Sequence, residues 1–529
     1  MIFPVIFVAA LGAWFRYANA QAVTVAVPLS VPSSAASLNP SLLSFSIEQD
    51  RWADWAGTTS KNGFFLNTLH NLEQRTGHAP SLRIGADSED HTNFDPSVEF
   101  SEAVFPAFSA TTPYPEASNV VVGDKYYQII SHLPKGTSVI WGVNFGQNNL
   151  TAAFLEAQSI QNAFSTKAVK EAKVKLDFIE IGNEADLYHS NGDRPGTWNI
   201  AEYTKEWTAF AQNISAAAGI SSNSSTKFIG GGFLGSGHSS NSFSPQGLFA
   251  SGILNSTEGQ LITSISQHHY SGSFCSGSAG LLQDLMTKSS IRGNLNPFVP
   301  DIAATRALGL DYVLGETNSY ACHGAPGVSN TAGAALWTLD YMLFSAQLGI
   351  SKVYFHQGVG YKYNMIQPAT LTRSIIDGST LDTPLDPHVQ PQYYAGLIAN
   401  EAIGKSGSSK IVELNINDTR VSGYAFFEHE NLKHAVLINS EAFTTSSTGP
   451  RTSKNITLSF TGDGTERKTM TVKRLAINFA DDANGLTWGG QSFETADARP
   501  SGTLSVEKIN VNDAVALQAT EVVLLSFHN

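Results

Sequence analysis

The sequence is poor in cysteine and in charge, and each shortage narrows what the chain can be. Two cysteines in 529 residues, Cys275 and Cys322, are too few for a cysteine-ligated zinc module or a disulfide-dense scaffold. Lysine and arginine number 32 against 45 aspartates and glutamates, a formal net charge of −13, which argues against nucleic acid or an anionic membrane as partner. Past the amino terminus, no apolar run is long enough to span a bilayer. No G-x-S-x-G elbow follows an inferred strand, so a serine-hydrolase triad has no anchor. GGGFLGSG (230–237) is rich in glycine but lacks the lysine of a P-loop, and reads as a sterically tight strand end. His268 and His269 are adjacent in a strand and point to opposite faces, with no ligand set at a recognised spacing. No metal and no cofactor are expected.

What is present begins with an apolar stretch, Met1 to Ala13, followed by Ala18-Asn19-Ala20. This reads as a secretory signal peptide (1–20) cleaved before Gln21, so the chain is expected outside the cell. In that oxidising compartment the isolated pair Cys275 and Cys322 reads as one disulfide, contributing roughly 3–4 kcal/mol in the chain-entropy model. Sequons at Asn149, Asn213, Asn223, Asn255, Asn417 and Asn455 fit a secreted glycoprotein, and a monomer is expected.

From Ser44 a strand–helix rhythm sets in. Candidate strands are 45–48, 81–86, 138–145, 177–184, 227–234, 264–270, 312–317 and 351–358, with helical patterns such as GFFLNTLHNLEQRTG between them. Eight such repeats predict a (β/α)8 barrel over 44–405; a doubly wound sheet would need a phosphate-binding glycine turn after its first strand. Residues 406–529 switch to short alternating runs, the pattern of an antiparallel β-sandwich. The lone strand near Val23 to Val27, within 21–43, is expected to join it.

Two strand exits carry the chemistry. LDFIEIGNEADLY (176–188) ends its apolar half in Gly182, Asn183 and Glu184, and YVLGETNSY (312–320) repeats the plan with Gly315 and Glu316. Two glutamates at the carboxyl ends of two barrel strands can face each other across a sugar, which is what glycoside cleavage requires. One must stay ionised beside the anomeric carbon while the other keeps a proton for the leaving group. Asp186 follows as a first-turn helix acid, and Arg83 at the end of strand two needs a buried carboxylate, expected to be the protein's own. Tyr270, Tyr320, Tyr361 and Tyr363 offer apolar faces with phenolic donors. The long segment Asp87 to Gly123 after strand two sits where substrate enters; between Ser88 and Asn119 it holds six acidic residues and no lysine or arginine.

FSIE at strand one, RIGADSED at strand two, IEIGNEADLY at strand four and GETNSY followed by GAPGVSN at strand seven resemble fungal glycoside hydrolase family 79 of the β-glucuronidase type. The resemblance runs over nearly the whole chain after the leader. It implies a TIM barrel with a C-terminal β-domain and a retaining, exo-acting enzyme acting on carbohydrate with a terminal β-glucuronosyl group. By position Glu184 resembles the acid/base, Glu316 the nucleophile, and Asn183 the asparagine that binds the 2-hydroxyl. Glu48, Tyr270 and Tyr363 resemble sugar contacts. The loop after Glu316, with Tyr320 and Gly324, resembles the segment that receives the uronate carboxylate. The alternatives within this reading are a heparanase-like chain cleaver and a barrel that binds carbohydrate without turning it over.

Overall fold

Eight parallel strands close into a barrel in the computed structural model, which describes residues 21–529 apart from Ser236. The expected signal peptide lies outside those residues. The barrel strands in order are Leu43–Glu48, Leu82–Gly85, Ser138–Val143, Lys175–Ile181, Lys227–Phe233, Ile262–Ser273, Asp311–Ala321 and Lys352–Gln357. Strand eight closes on strand one with Phe355 opposite Phe45. These are the apolar runs of the sequence, and being covered by helices outside and side chains inside they are buried nearly throughout.

Ile140, Ile229, Val313 and Tyr354, with Phe178 beside them, form an apolar plug inside the barrel. Arg83, Glu180, His268, Glu316 and His356 are buried as well, and they form the polar cluster that holds the site. The surrounding helices obey their local signals. The helix Gly63–Thr76 starts at Asn62, whose side chain accepts the Phe65 N–H, and stops at Gly77 in the left-handed region. The glycine run of strand five is needed for contact: a Cβ on Gly231 would come 2.5 Å from the Ser266 carbonyl oxygen.

The C-terminal strands form two layers. One is an eight-stranded sheet that includes Val421–Glu428, Asn431–Asn439, Glu521–His528 and Thr469–Ala476; the other joins Ser453–Thr461 to Val515–Gln518. The amino-terminal strand Gln21–Pro28 adds to this second layer, parallel to Ser453–Thr461, with Val23 opposite Ile456. Its alternation buries Val23, Val25 and Val27 between the layers, each worth roughly 1.5–3 kcal/mol. The other face of the large sheet presents Tyr424, Phe426, Val436 and Leu524 to the same apolar cluster as the barrel helices Ala332–Gln347 and Gln392–Ile403. Barrel and sandwich therefore share one core. Among the described residues no helix is long and apolar enough to cross a membrane.

The segment after strand two is ordered into a 3-10 turn, Asp87–His91, and a small sheet of Thr92–Phe94, Ser101–Val104 and Asn119–Val122. It is tied down on several sides. Asp50 accepts the Ala117 N–H, the Tyr114 hydroxyl contacts the Arg373 backbone, and Lys362 donates to the Thr111 carbonyl at 3.0 Å.

Candidate active site

At the exit of strand four the chain turns sharply. Gly182 has φ 74°, and a Cβ there would lie 2.4 Å from the Tyr188 hydroxyl, so the position requires glycine. Glu184 is itself left-handed, at φ 45° and ψ 48°, a conformation that a residue with a Cβ adopts only when its surroundings enforce it. The enforcing group is Asp90. One of its oxygens accepts the Phe145 and Gly146 N–H groups at 3.0 and 2.8 Å; the other accepts the Asn183 N–H at 3.2 Å and the Tyr188 hydroxyl at 2.7 Å. The Glu184 N–H donates to the Gly232 carbonyl, and Asp186 accepts the Leu234 N–H. Asp186 therefore pins the end of strand five to this turn.

Glu316, on strand seven, is buried and holds a donor on each oxygen. Arg83 reaches Oε2 at 2.8 Å and the Tyr270 hydroxyl reaches Oε1 at 2.7 Å. His356 Nδ1 stands 3.8 Å from Oε2. Arg83 also donates to Asn183 Oδ1 at 2.8 Å and Ser46 Oγ at 3.0 Å, and its Nε donates to Glu180. Its carboxylate partners are thus the protein's own. His268 Nδ1 lies 3.1 Å from Glu184 Oε1, while His269 faces outward to Asn294. Donor atoms of Glu184, His268 and Glu316 all fall within 4.8 Å of one another. Arg83 and Tyr270 each donate to one Glu316 oxygen, so the cluster is two carboxyl groups with a histidine beside Glu184.

The environments of the two glutamates drive their ionisation apart. Burial would raise Glu316, but His356, His268, Arg83 and the Tyr270 hydroxyl outweigh it and hold the group at about 2. Burial, followed by the neighbouring charges of Glu316 and Asp87, pushes Glu184 well above the usual carboxylate range. At a pH between the two, one is a carboxylate and the other a carboxylic acid. Burial lowers His268 to about 4, so it stands neutral beside Glu184.

The other expected contacts gather at different distances. Glu48 accepts the Ser88 N–H at 2.9 Å, lies 3.2 Å from His356 Nε2, and is raised by burial and by Glu116 and Asp87. Tyr363 sits 6.1 Å from the Tyr270 ring, beside Glu316. Tyr361 instead stacks on His323 at 3.8 Å, and His323 Nε2 is hydrogen-bonded to Glu116. Tyr320 packs against Gly272 and Gly280. Gly324 ends a run of left-handed residues, Cys322, His323 and Gly324, beside the Tyr363 backbone. The Cys275–Cys322 disulfide is formed, with Cα atoms 5.2 Å apart, and it anchors the start of that run.

His356, Asp90 and Glu180 were not singled out by sequence reasoning. His356 carried a usable signal, since alternation from Tyr354 in the apolar plug places it on the barrel interior. Asp90 lay in the quoted RIGADSED motif without an inferred partner, because its contacts come from strand three and strand four exits.

A closed parallel barrel with an ionised and a protonated glutamate on one rim is the frame of a glycoside hydrolase. Residues 423–524 match the glycosyl hydrolase family 79 C-terminal beta domain. A β-glucuronidase of Neurospora crassa is 28% identical, the match covering 90% of this chain and 89% of the relative. One from Aspergillus niger is also 28% identical, over 93% and 90% of the two chains. The structure of a 4-O-α-L-rhamnosyl-β-D-glucuronidase from Fusarium oxysporum superposes with a TM-score of 0.74 at 24% identity, covering 95% of this chain and all of that one. The chain thus carries a C-terminal domain like that of glycosyl hydrolase family 79 and is similar to fungal β-glucuronidases over most of its length.

Proposed function

We propose that the protein is a secreted, retaining β-glucuronidase that removes terminal β-glucuronosyl residues, with or without a 4-O-methyl group, from glycans or glucuronides. The observation that carries the mechanism is the approach of the Glu184 and Glu316 carboxyl oxygens to within 4.8 Å, with their ionisation driven apart. Retaining glycosidases hold this pair about 5–5.5 Å apart, whereas inverting ones leave room for a water between them. The named relatives support the substrate.

In the first step Glu316 attacks the anomeric carbon and Glu184 gives its proton to the departing oxygen. Once Glu316 is esterified its charge is gone, and with it the second-largest influence raising Glu184. Glu184 then takes a proton from water, which attacks the same carbon from the side the aglycone left. Asn183 holds the 2-hydroxyl: with its Oδ1 engaged by Arg83, its amide NH2 faces the sugar as donor. The uronate carboxylate is assigned to the left-handed turn at Cys322 and His323, a shape that aims successive N–H groups at an anion. Exo action is supported by the acidic segment 87–123, which docks on that turn through Glu116 and His323 and walls one side of the cleft.

Secretion rests on the leader-like residues 1–20, and a monomer remains the expected state. Among the sequons, Asn149, Asn223, Asn255 and Asn417 are exposed and suited to carry glycans. Asn213 spends its amide on the Leu150 carbonyl, and Asn455 is half-buried in a strand.

Comparison of aryl β-glucuronide, β-glucoside and β-galactoside tests the assignment. The expected kcat/KM for the glucuronide exceeds the others by roughly 100-fold or more. Equal turnover of the neutral sugars would refute it.

A further inference from the structure

Arg83 is fully buried, and its donors are distributed in a way that makes one guanidinium serve two parts of the site. Nη1 goes to Glu316 and Ser46, Nη2 to Asn183, and Nε to Glu180. Because the guanidinium is planar, a tilt that moves Nε moves both other nitrogens with it. Among the described residues Glu180 makes no hydrogen bond to Glu184 or Glu316, and it lies on strand four before the turn that carries Asn183. Glu89 also approaches Nη2, at 3.7 Å, but burial and the charges of Glu180 and neighbouring acids push it well above the usual carboxylate range. At 3.7 Å Glu89 is beyond hydrogen-bond reach, which leaves Glu180 as the anchor of the Nε edge.

We propose that Glu180 is a positioning residue: by fixing Arg83 at Nε, it orients the Asn183 amide toward the substrate 2-hydroxyl and holds Glu316 in line. The argument rests on the functional reading above only for the roles of Asn183 and Glu316. The geometry also says what Glu180 supplies, which is reach. Its second oxygen, Oε1, has no hydrogen-bond partner and lies beside Gly232, 3.1 Å from where a Cβ on that residue would sit. A glutamine can keep an acceptor on Nε while turning its NH2 toward Gly232. An aspartate keeps the charge but ends one methylene short.

The test is the rate ratio between an aryl glycoside and its 2-deoxy counterpart, each corrected for its uncatalysed rate, in wild type, Glu180→Gln and Glu180→Asp. Wild type should favour the 2-hydroxyl by roughly 100-fold. Glu180→Gln should keep that preference. Glu180→Asp should lose most of it, with kcat falling about 10- to 100-fold and KM changing little, since a misplacement near 1 Å costs on that order. Thermal midpoints of both variants establish that they fold, and a merely structural role would leave the ratio at its wild-type value. A preserved ratio in Glu180→Asp, or loss in Glu180→Gln with retention in Glu180→Asp, overturns the proposal. The ratio is read on whichever glycoside wild type hydrolyses best, so failure to cleave glucuronides would sink the substrate assignment and leave this inference intact.

Discussion

Replacing Cys275 and Cys322 by serine tests whether the disulfide shapes the turn assigned to the carboxylate. The bridge closes a loop of sequence separation 47, which the chain-entropy model values at about 4 kcal/mol. That is a large share of a typical domain stability of about 5–15 kcal/mol. At about 2.1 cal/mol/K of unfolding entropy per residue over the whole chain, it lowers the thermal midpoint by roughly 4 °C. The local effect is more specific. Cys322 and His323 are both left-handed, at φ 60° and 67°, which costs about 1–2 kcal/mol for each residue with a Cβ. Without the bridge the turn is held by the Glu116–His323 pair, the Tyr361 stack on His323, and the Lys362 N–H to His323 and Gly324 N–H to Tyr320 backbone bonds, which leaves Cys322 itself free to relax. The expected result is a KM for aryl β-glucuronide raised about tenfold, equivalent to about 1.4 kcal/mol, with kcat changing much less. Scanning calorimetry at one fixed rate and initial-rate kinetics read the two effects. An unchanged midpoint together with an unchanged KM would refute the reasoning.

Other outcomes follow from the two glutamates and the rim. Glu184→Ala should keep turnover of substrates whose leaving group needs no proton, and azide should restore it as a β-glycosyl azide, whereas Glu316→Ala should stall on every substrate; identical leaving-group profiles would contradict the roles. With Glu316 held at about 2 and Glu184 raised, kcat/KM should be flat from acid toward neutral pH and fall as pH rises through Glu184. That basic limb should vanish for a dinitrophenyl leaving group, and its persistence would point to a different titrating group. Stability follows the same sign: Glu48, Glu89 and Glu184 are raised in the folded state, so their contribution is complete at acid pH and is lost as pH rises through their folded values. Asp87 and Asp186, raised by burial to about 6 and about 7, act in the same sense, so the thermal midpoint should be higher near pH 5 than near pH 8. Heparan sulfate or hyaluronan should keep its chain length by size-exclusion analysis; rapid shortening without free glucuronic acid would mean endo cleavage.

The sequence revealed the parts of the site that sit at strand ends and hid the parts that act across the barrel. Glu184 and Glu316 were legible because each follows an apolar strand and a glycine, and the register of strand six against strand seven brings His268 opposite Glu316. Arg83 was correctly expected to face protein carboxylates. That there are three of them, Glu180, Glu89 and Glu316, depends on strands two, four and seven meeting inside a closed barrel. Tyr363 and Tyr361 are separated in sequence by one residue and in role by their partners, Tyr270 for one and His323 for the other. No spacing rule distinguishes them. Asp90 is the clearest omission, since a single buried carboxylate accepts four donors from two segments of chain and braces the turn that carries the left-handed Glu184.

The central claim is double displacement between Glu316 and Glu184, and the configuration of the first-formed product tests it most directly. Proton NMR of aryl β-glucuronide hydrolysis, recorded before mutarotation, should show the β-anomer of glucuronic acid appearing first and the α-anomer only afterwards. An α-anomer as first product would mean single inversion, and no nucleophile role for Glu316 would survive it.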